Sequence, residues 1–127
     1  MSAIKDRIED IYPLSPLQQG ILFHSLEAPA EGAYIEQLSW VLSGDLDAAA
    51  LRRAWQEVVD RHPVLRSAFF WEEGDAPCQI VHRRVELPWE PLDWSGLSAS
   101  AREERLAALL EDDRRGASTS PARPSCA

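Results

Sequence analysis

The chain has 127 residues, 45% of them hydrophobic, and 21 acidic against 13 basic side chains give a formal net charge of −8. That length describes one globular domain or a piece of one, able to bury roughly two-thirds of the surface its unfolded form exposes. The acid excess argues against a phosphate backbone or an anionic membrane as partner, because both are held by clustered Lys and Arg.

Ser15, Pro16 and Gln18 together make a helix start: an N-cap, a proline at the first helical position and the closing residue of a capping box. A helix is predicted from Pro16 to about Leu26, with Leu17, Ile21 and His24 on one stripe and Leu22 and Leu26 on its flank. Such an apolar face needs something to pack against. Gly20 interrupts it at about 1 kcal/mol relative to Ala, which reads either as close backbone packing or as room for a ligand or partner.

Pro29 to Gly32 reads as a loop and Tyr34 to Leu42 as a strand, with Tyr34, Leu38, Trp40 and Leu42 on one face. Its other face is only half polar, so a sheet covered on both sides is expected. After the turn at Gly44-Asp45, Asp47 caps the clearest helix, in which Leu51, Ala54, Trp55, Val58, Val59 and His62 recur at helical spacing until Pro63. Arg66 to Glu72 alternates as a strand, Glu73-Gly74-Asp75 makes a turn, and Pro77 to His82 returns as its hairpin partner.

Val85, Leu87 and Trp89 suggest a further extended segment, broken at Pro88 and Pro91. A third helix is predicted from Leu97 onward, with Ser100 and Glu103 as a second capping box and Leu106, Leu109 and Leu110 as its stripe. The run Glu111-Asp112-Asp113-Arg114-Arg115 reads as its solvated end. Residues 116–127 contain no large apolar side chain and are predicted to be a disordered tail behind a domain of residues 1–115. The element order gives an α/β two-layer sandwich.

Two cysteines, Cys78 and Cys126, are too few for a disulfide framework. Lys5, Asp6, Arg7, Glu9 and Asp10 stand where a signal peptide needs an apolar core, so a cytoplasmic protein is expected, with neither nucleic acid nor membrane as partner. His24 and His62 lie on helix stripes and read as packing residues, and no metal site is assigned. Cys78 reads as a small buried side chain in a strand. Pairing it with His82 as a nucleophile and base would put both on one strand face without an oxyanion hole, so that reading is rejected. No catalytic, cofactor-binding or metal-ligating residue is assigned.

The string Tyr12-Pro13-Leu14-Ser15-Pro16-Leu17-Gln18-Gln19-Gly20-Ile21-Leu22-Phe23-His24 resembles the opening of condensation domains of non-ribosomal peptide synthetases, a branch of the chloramphenicol-acetyltransferase-like superfamily. Many members read P-L-S/T-P-x-Q-x-G-M/I-L-F-H there. Arg61-His62-Pro63-Val64-Leu65-Arg66-Ser67-Ala68-Phe69 resembles the family's R-H-E-x-L-R-T-x-F, with Pro63 for Glu and Ser67 for Thr. Gly44-Asp45-Leu46-Asp47, Val85-Glu86-Leu87-Pro88-Trp89 and Leu92-Asp93-Trp94 also look like family connecting segments, so the resemblance runs from Ile8 to about Arg115.

The resemblance implies part of the N-terminal lobe of a V-shaped, two-lobed fold. It further implies amide formation between thioesters carried on phosphopantetheine arms of carrier domains, with those domains or adjacent synthetase subunits as partners and no cofactor bound directly. The chemistry needs an amine placed against a carbonyl and donors for the tetrahedral intermediate. In the family these come largely from H-H-x-x-x-D-G, a string this sequence does not contain. The chain alone is therefore expected to be inactive, and whether it counts as an enzyme stays open. Arg66 resembles a family arginine that supports that motif by pairing with its Asp, and Arg61 either helps it or is a surface cation at a helix end. Both are expected to have lost their partner.

Two other functions compete with this one. The first is a docking module for an upstream synthetase subunit or carrier domain. The second, an unrelated small acyltransferase of the same fold, requires a His-x-x-x-Asp that the sequence lacks. Where the family continues R/G-F-D-L-S-x-A-P-L-x-R, the chain reads on from Gly116 to Ala127, and one choice of codons for that stretch, read two bases on, encodes R-F-D-L-S-R-A-P-L-M-R. A frameshift near Arg115 is the expectation, with sheet edges left unpaired and a marginal, aggregation-prone fragment as its consequence.

Overall fold

The computed structural model describes residues 6–28, 34–72 and 76–119. They fall into two compact units, the first built within residues 6–19 and 40–89 and the second within 20–39 and 90–119. The chain is a mixture of helix and sheet.

The first unit is organised by a three-stranded antiparallel sheet: β1 (Ile8–Pro13), β2 (Ser67–Phe70) and β3 (Cys78–His82), in the order β1-β3-β2. β2 and β3 are the expected hairpin, Ser67 opposite Val81 and Phe70 opposite Cys78; the turn residues 73–75 lie outside the described residues. β1 is an addition to the predicted elements. Its mixed pattern of acids and apolar residues carries no clean alternation, and a bulge between Ile8 and Asp10 breaks the register further. The ladder fixes it instead, with Tyr12 opposite Gln79, and the Arg83 amide donates to the Arg7 carbonyl beyond the strand end at 2.8 Å.

α1 (Pro16–Glu27) and α2 (Ala48–Arg61) match their predicted spans within a residue or two. α2 is capped as read: the Asp47 carboxylate accepts from the Ala50 amide at 2.9 Å. A single 3-10 turn, Pro63–Arg66, follows and feeds β2. The core of this unit is small. Leu14, Val59 and Val81 are its buried apolar side chains, Val81 being 2% exposed, and Arg66 is buried among them.

The strand predicted over Tyr34 to Leu42 is not formed. Residues 35–43 carry no regular secondary structure, and Leu38, Trp40, Val41 and Leu42 are exposed, Val41 to 90%. Alternation supplies a face, but a strand needs a partner ladder, and the three strands of the sheet pair only with one another. Trp40 stacks on Trp55 of α2 at 6.4 Å.

In the second unit, α3 (Ala99–Thr119) is capped by Ser98, whose hydroxyl accepts from the Ala101 amide at 3.3 Å. Ser100, the expected cap, already lies in the first turn. The helix also runs past Arg115, held by ion pairs from Arg114 and Arg115 to Glu111 at 2.9 and 3.1 Å, so residues 116–119 of the predicted tail are helical. Residues 120–127, Cys126 among them, lie outside the described residues. Gln37 ties the preceding segment to α3 by donating to the Leu110 carbonyl and the Asp113 carboxylate at 3.2 and 3.0 Å. No described helix is long and apolar enough to cross a membrane.

Candidate functional site

The first motif begins with a complete capping box. The Gln18 amide donates to the Ser15 hydroxyl at 3.2 Å, and the Ser15 amide donates back to Gln18 Oε1 at 2.9 Å. Gln18 is then used twice, because its Nε2 donates to Gln79 Oε1 on β3 at 2.9 Å. Gln19 Nε2 reaches the carbonyl of buried Leu14 at 3.2 Å. The start of α1 is thus fastened to the sheet through amides rather than through its apolar side chains. None of its residues is buried, and Leu17, Phe23 and Leu26 are exposed. A side-chain carbon at Gly20 would meet nothing within 4 Å, so close backbone packing does not explain that glycine; open space surrounds it.

The second motif turns its arginine inward. α2 ends with the His62 amide donating to the Val58 carbonyl at 3.1 Å, and Pro63 forces the tight turn that carries Arg66 back beneath the helix. The guanidinium donates from Nε to the Val59 carbonyl at 3.2 Å, and from Nη1 to Glu9 Oε2 at 2.6 Å, to the Arg83 carbonyl at 3.2 Å and to the His82 carbonyl. The arginine expected to lack the motif's Asp is not left alone: with the side chain 5% exposed, an unpaired cation would be severely penalised, and Glu9 with three carbonyls holds it instead. Sequence reasoning singles out neither Glu9 nor Gln79. Among 21 acidic residues nothing local marks Glu9, because its pairing depends on β1, which the pattern does not announce.

The two motifs consequently grip opposite ends of β3, Gln18 at Gln79 and Arg66 at His82 and Arg83. Arg61 is exposed at the C-terminal end of α2, where its charge suits the helix dipole. His62 is the exposed C-cap of that helix rather than a packed side chain. His24 is exposed too, its ring edge-on to Tyr34 at 5.6 Å. His82 and Cys78 are half-buried ends of β3, and the Cys78 thiol is free. Among the described residues no three His, Cys, Asp or Glu side chains are grouped so as to hold a metal ion.

Among the described residues, two groups have shifted acidity. The Tyr12 phenol sits above its usual 10.0, chiefly because it hydrogen-bonds the Asp10 carboxylate, whose charge also opposes the phenolate; desolvation and Glu9 add to the effect. Asp93 is held below the usual carboxylate value by the Ser95 amide, which donates to it at 2.9 Å, and by the Ser95 hydroxyl.

Residues 8–117 match the sequence profile of the Condensation domain family. The chain is 48% identical over 109 residues to a linear gramicidin synthase of Brevibacillus parabrevis, an alignment covering 86% of this chain and 2% of that protein. It is 35% identical over 159 residues to chondramide synthase cmdD of Chondromyces crocatus, covering 89% and 4% respectively. To a surfactin synthase of Bacillus subtilis, its third subunit, it is 31% identical over 110 residues, covering 87% and 9%. The chain thus spans only a small part of the synthetases it resembles.

Proposed function

This chain belongs to the condensation-domain family of the non-ribosomal peptide synthetases, and from that premise we propose that it forms part of the N-terminal lobe of such a domain, in a chloramphenicol-acetyltransferase-like sandwich. The domain joins two carrier-bound thioesters. The acceptor amine attacks the donor carbonyl, a C–N bond forms, the C–S bond breaks, and the proton lost by the amine leaves with the phosphopantetheine thiol. The role of the residues described here is positioning. Gln18 and Arg66 hold β3 between the two motifs, which suits a reaction whose rate depends on placing an amine against a carbonyl.

The observation that carries this reading is the family match over residues 8–117, whose two motifs hold one strand at its two ends. Without H-H-x-x-x-D-G the chain supplies no group at the reacting centre and is inactive alone. A chimera in which residues 8–117 replace the matching segment of the linear gramicidin synthase tests the assignment, with amide formation between carrier-bound thioesters read by mass spectrometry. The chimera retains condensation and the isolated chain shows none; a folded but inactive chimera, or an active isolated chain, refutes the reading.

A further inference from the structure

In a chain of net charge −8, four arginines collect in one place. Arg52 and Arg53 of α2 face Arg83 and Arg84 of the segment leaving β3 across an open groove of about 860 Å³, within the first unit. Its walls are fixed by hydrogen bonds that leave the arginines free to act. Gln56 donates to the Val85 carbonyl at 2.9 Å and accepts from the Leu87 amide at 2.8 Å, clamping the segment against α2. The Arg83 backbone is held on both sides, its amide by the Arg7 carbonyl and its carbonyl by Arg66.

The cations themselves are scarcely neutralised. Arg52 pairs with Glu86 at 3.3 Å, a contact 51% and 85% exposed and so of small worth. Arg53, Arg83 and Arg84 are exposed, and none of them makes an ion pair with a described acidic residue.

We propose that this groove binds an acidic segment of a partner protein, its carboxylates seated on Arg53, Arg83 and Arg84. The planar guanidinium fork matches a carboxylate in two-point contact, and walls already in place reduce the ordering cost of binding. Asp60 and Glu86 also line the groove, and the rest of the chain is strongly acidic. Those charges repel a dense run of phosphates, whereas carboxylates spaced along a peptide can sit between them. Binding here does not depend on which thioesters the parent domain joins.

The test is fluorescence anisotropy of a labelled oligoglutamate peptide with the full 127-residue chain. Binding that weakens with salt is expected, reduced on the order of tenfold in Arg53→Ala/Arg84→Ala. Arg53→Lys/Arg84→Lys, which keeps the charge but not the fork, falls between the two, and Arg105→Ala on α3 binds as the parent does. Circular dichroism confirms that each variant keeps its helices. No binding of the peptide, equal binding by the double alanine variant, or tighter binding of a polyphosphate of matched charge would each overturn the proposal.

Discussion

Replacing Arg66 by Met separates the buried arginine's hydrogen bonds from its bulk. The side chain is 5% exposed and donates to the carbonyls of Val59, His82 and Arg83 and to the Glu9 carboxylate. Methionine fills much of the volume of the arginine stem, so the cavity contribution stays small. What is lost is a set of charge-assisted bonds, each net about 1.5–3 kcal/mol. The Glu9 bond counts least, because that side chain is 40% exposed and water takes over when the arginine goes. The three carbonyls count more, offset by no longer burying a cation, and the balance is a loss of about 3 kcal/mol.

Urea unfolding followed by the fluorescence of the five tryptophans measures this directly. With a slope of about 1.5 kcal/mol/M, the midpoint of Arg66→Met falls by about 2 M. Glu9→Gln keeps an acceptor in place and costs only about 0.5–1 kcal/mol. Arg66→Lys does not restore the parent, since one ammonium cannot span Val59 and Arg83 at once. A loss under about 1 kcal/mol for Arg66→Met, or a Glu9→Gln loss equal to it, refutes the assignment of the carbonyls as the main partners.

Ser15→Ala removes one half of the capping box and costs about 1 kcal/mol, whereas Gln18→Ala also cuts the tie to Gln79 and costs about 2, both read from thermal unfolding by circular dichroism. Equal losses would show that the Gln18 to Gln79 bond contributes nothing. Gln56→Leu keeps the bulk but releases the segment after β3, so the Leu87 amide exchanges with solvent much faster while amides within β3 keep their protection. Unchanged exchange at Leu87 contradicts the clamp. Tyr12 titrates above 10.0, and because the folded state favours its protonated form, that stabilisation is present below 10.0 and fades as pH rises through the higher folded value. In Asp10→Asn the phenolate absorbance of Tyr12 rises at lower pH than in the parent; an unmoved titration removes Asp10 as the cause.

Features encoded over a few consecutive residues are legible in the sequence. Ser15 to Gln18 and Asp47 to Ala50 cap helices where read, because a cap depends on neighbours within one turn. The choice of Ser100 over Ser98 fails within that same short range: two hydroxyls stand two residues apart, and the side chains alone do not say which one remains outside the helix. The extension of α3 beyond Arg115 escapes a reading by composition, which leaves out the Glu111 ion pairs that favour the helix there.

What is not legible depends on partners far along the chain. Glu9 lies 57 residues from Arg66, and Gln18 lies 61 from Gln79, separations at which no periodicity carries information. Both contacts require β1 to pair with β3, and β1 lacks the alternation that would announce it. The segment over 34–42 shows the converse case, since it has the alternation and lacks the ladder. Binary pattern specifies which residues a strand would bury, while pairing requires backbone donors and acceptors aligned on a neighbour, and residues 35–43 have no such ladder with β1, β2 or β3. An alternating pattern without a ladder therefore leaves Leu38, Trp40, Val41 and Leu42 exposed, which is the difference between a strand pattern and a strand.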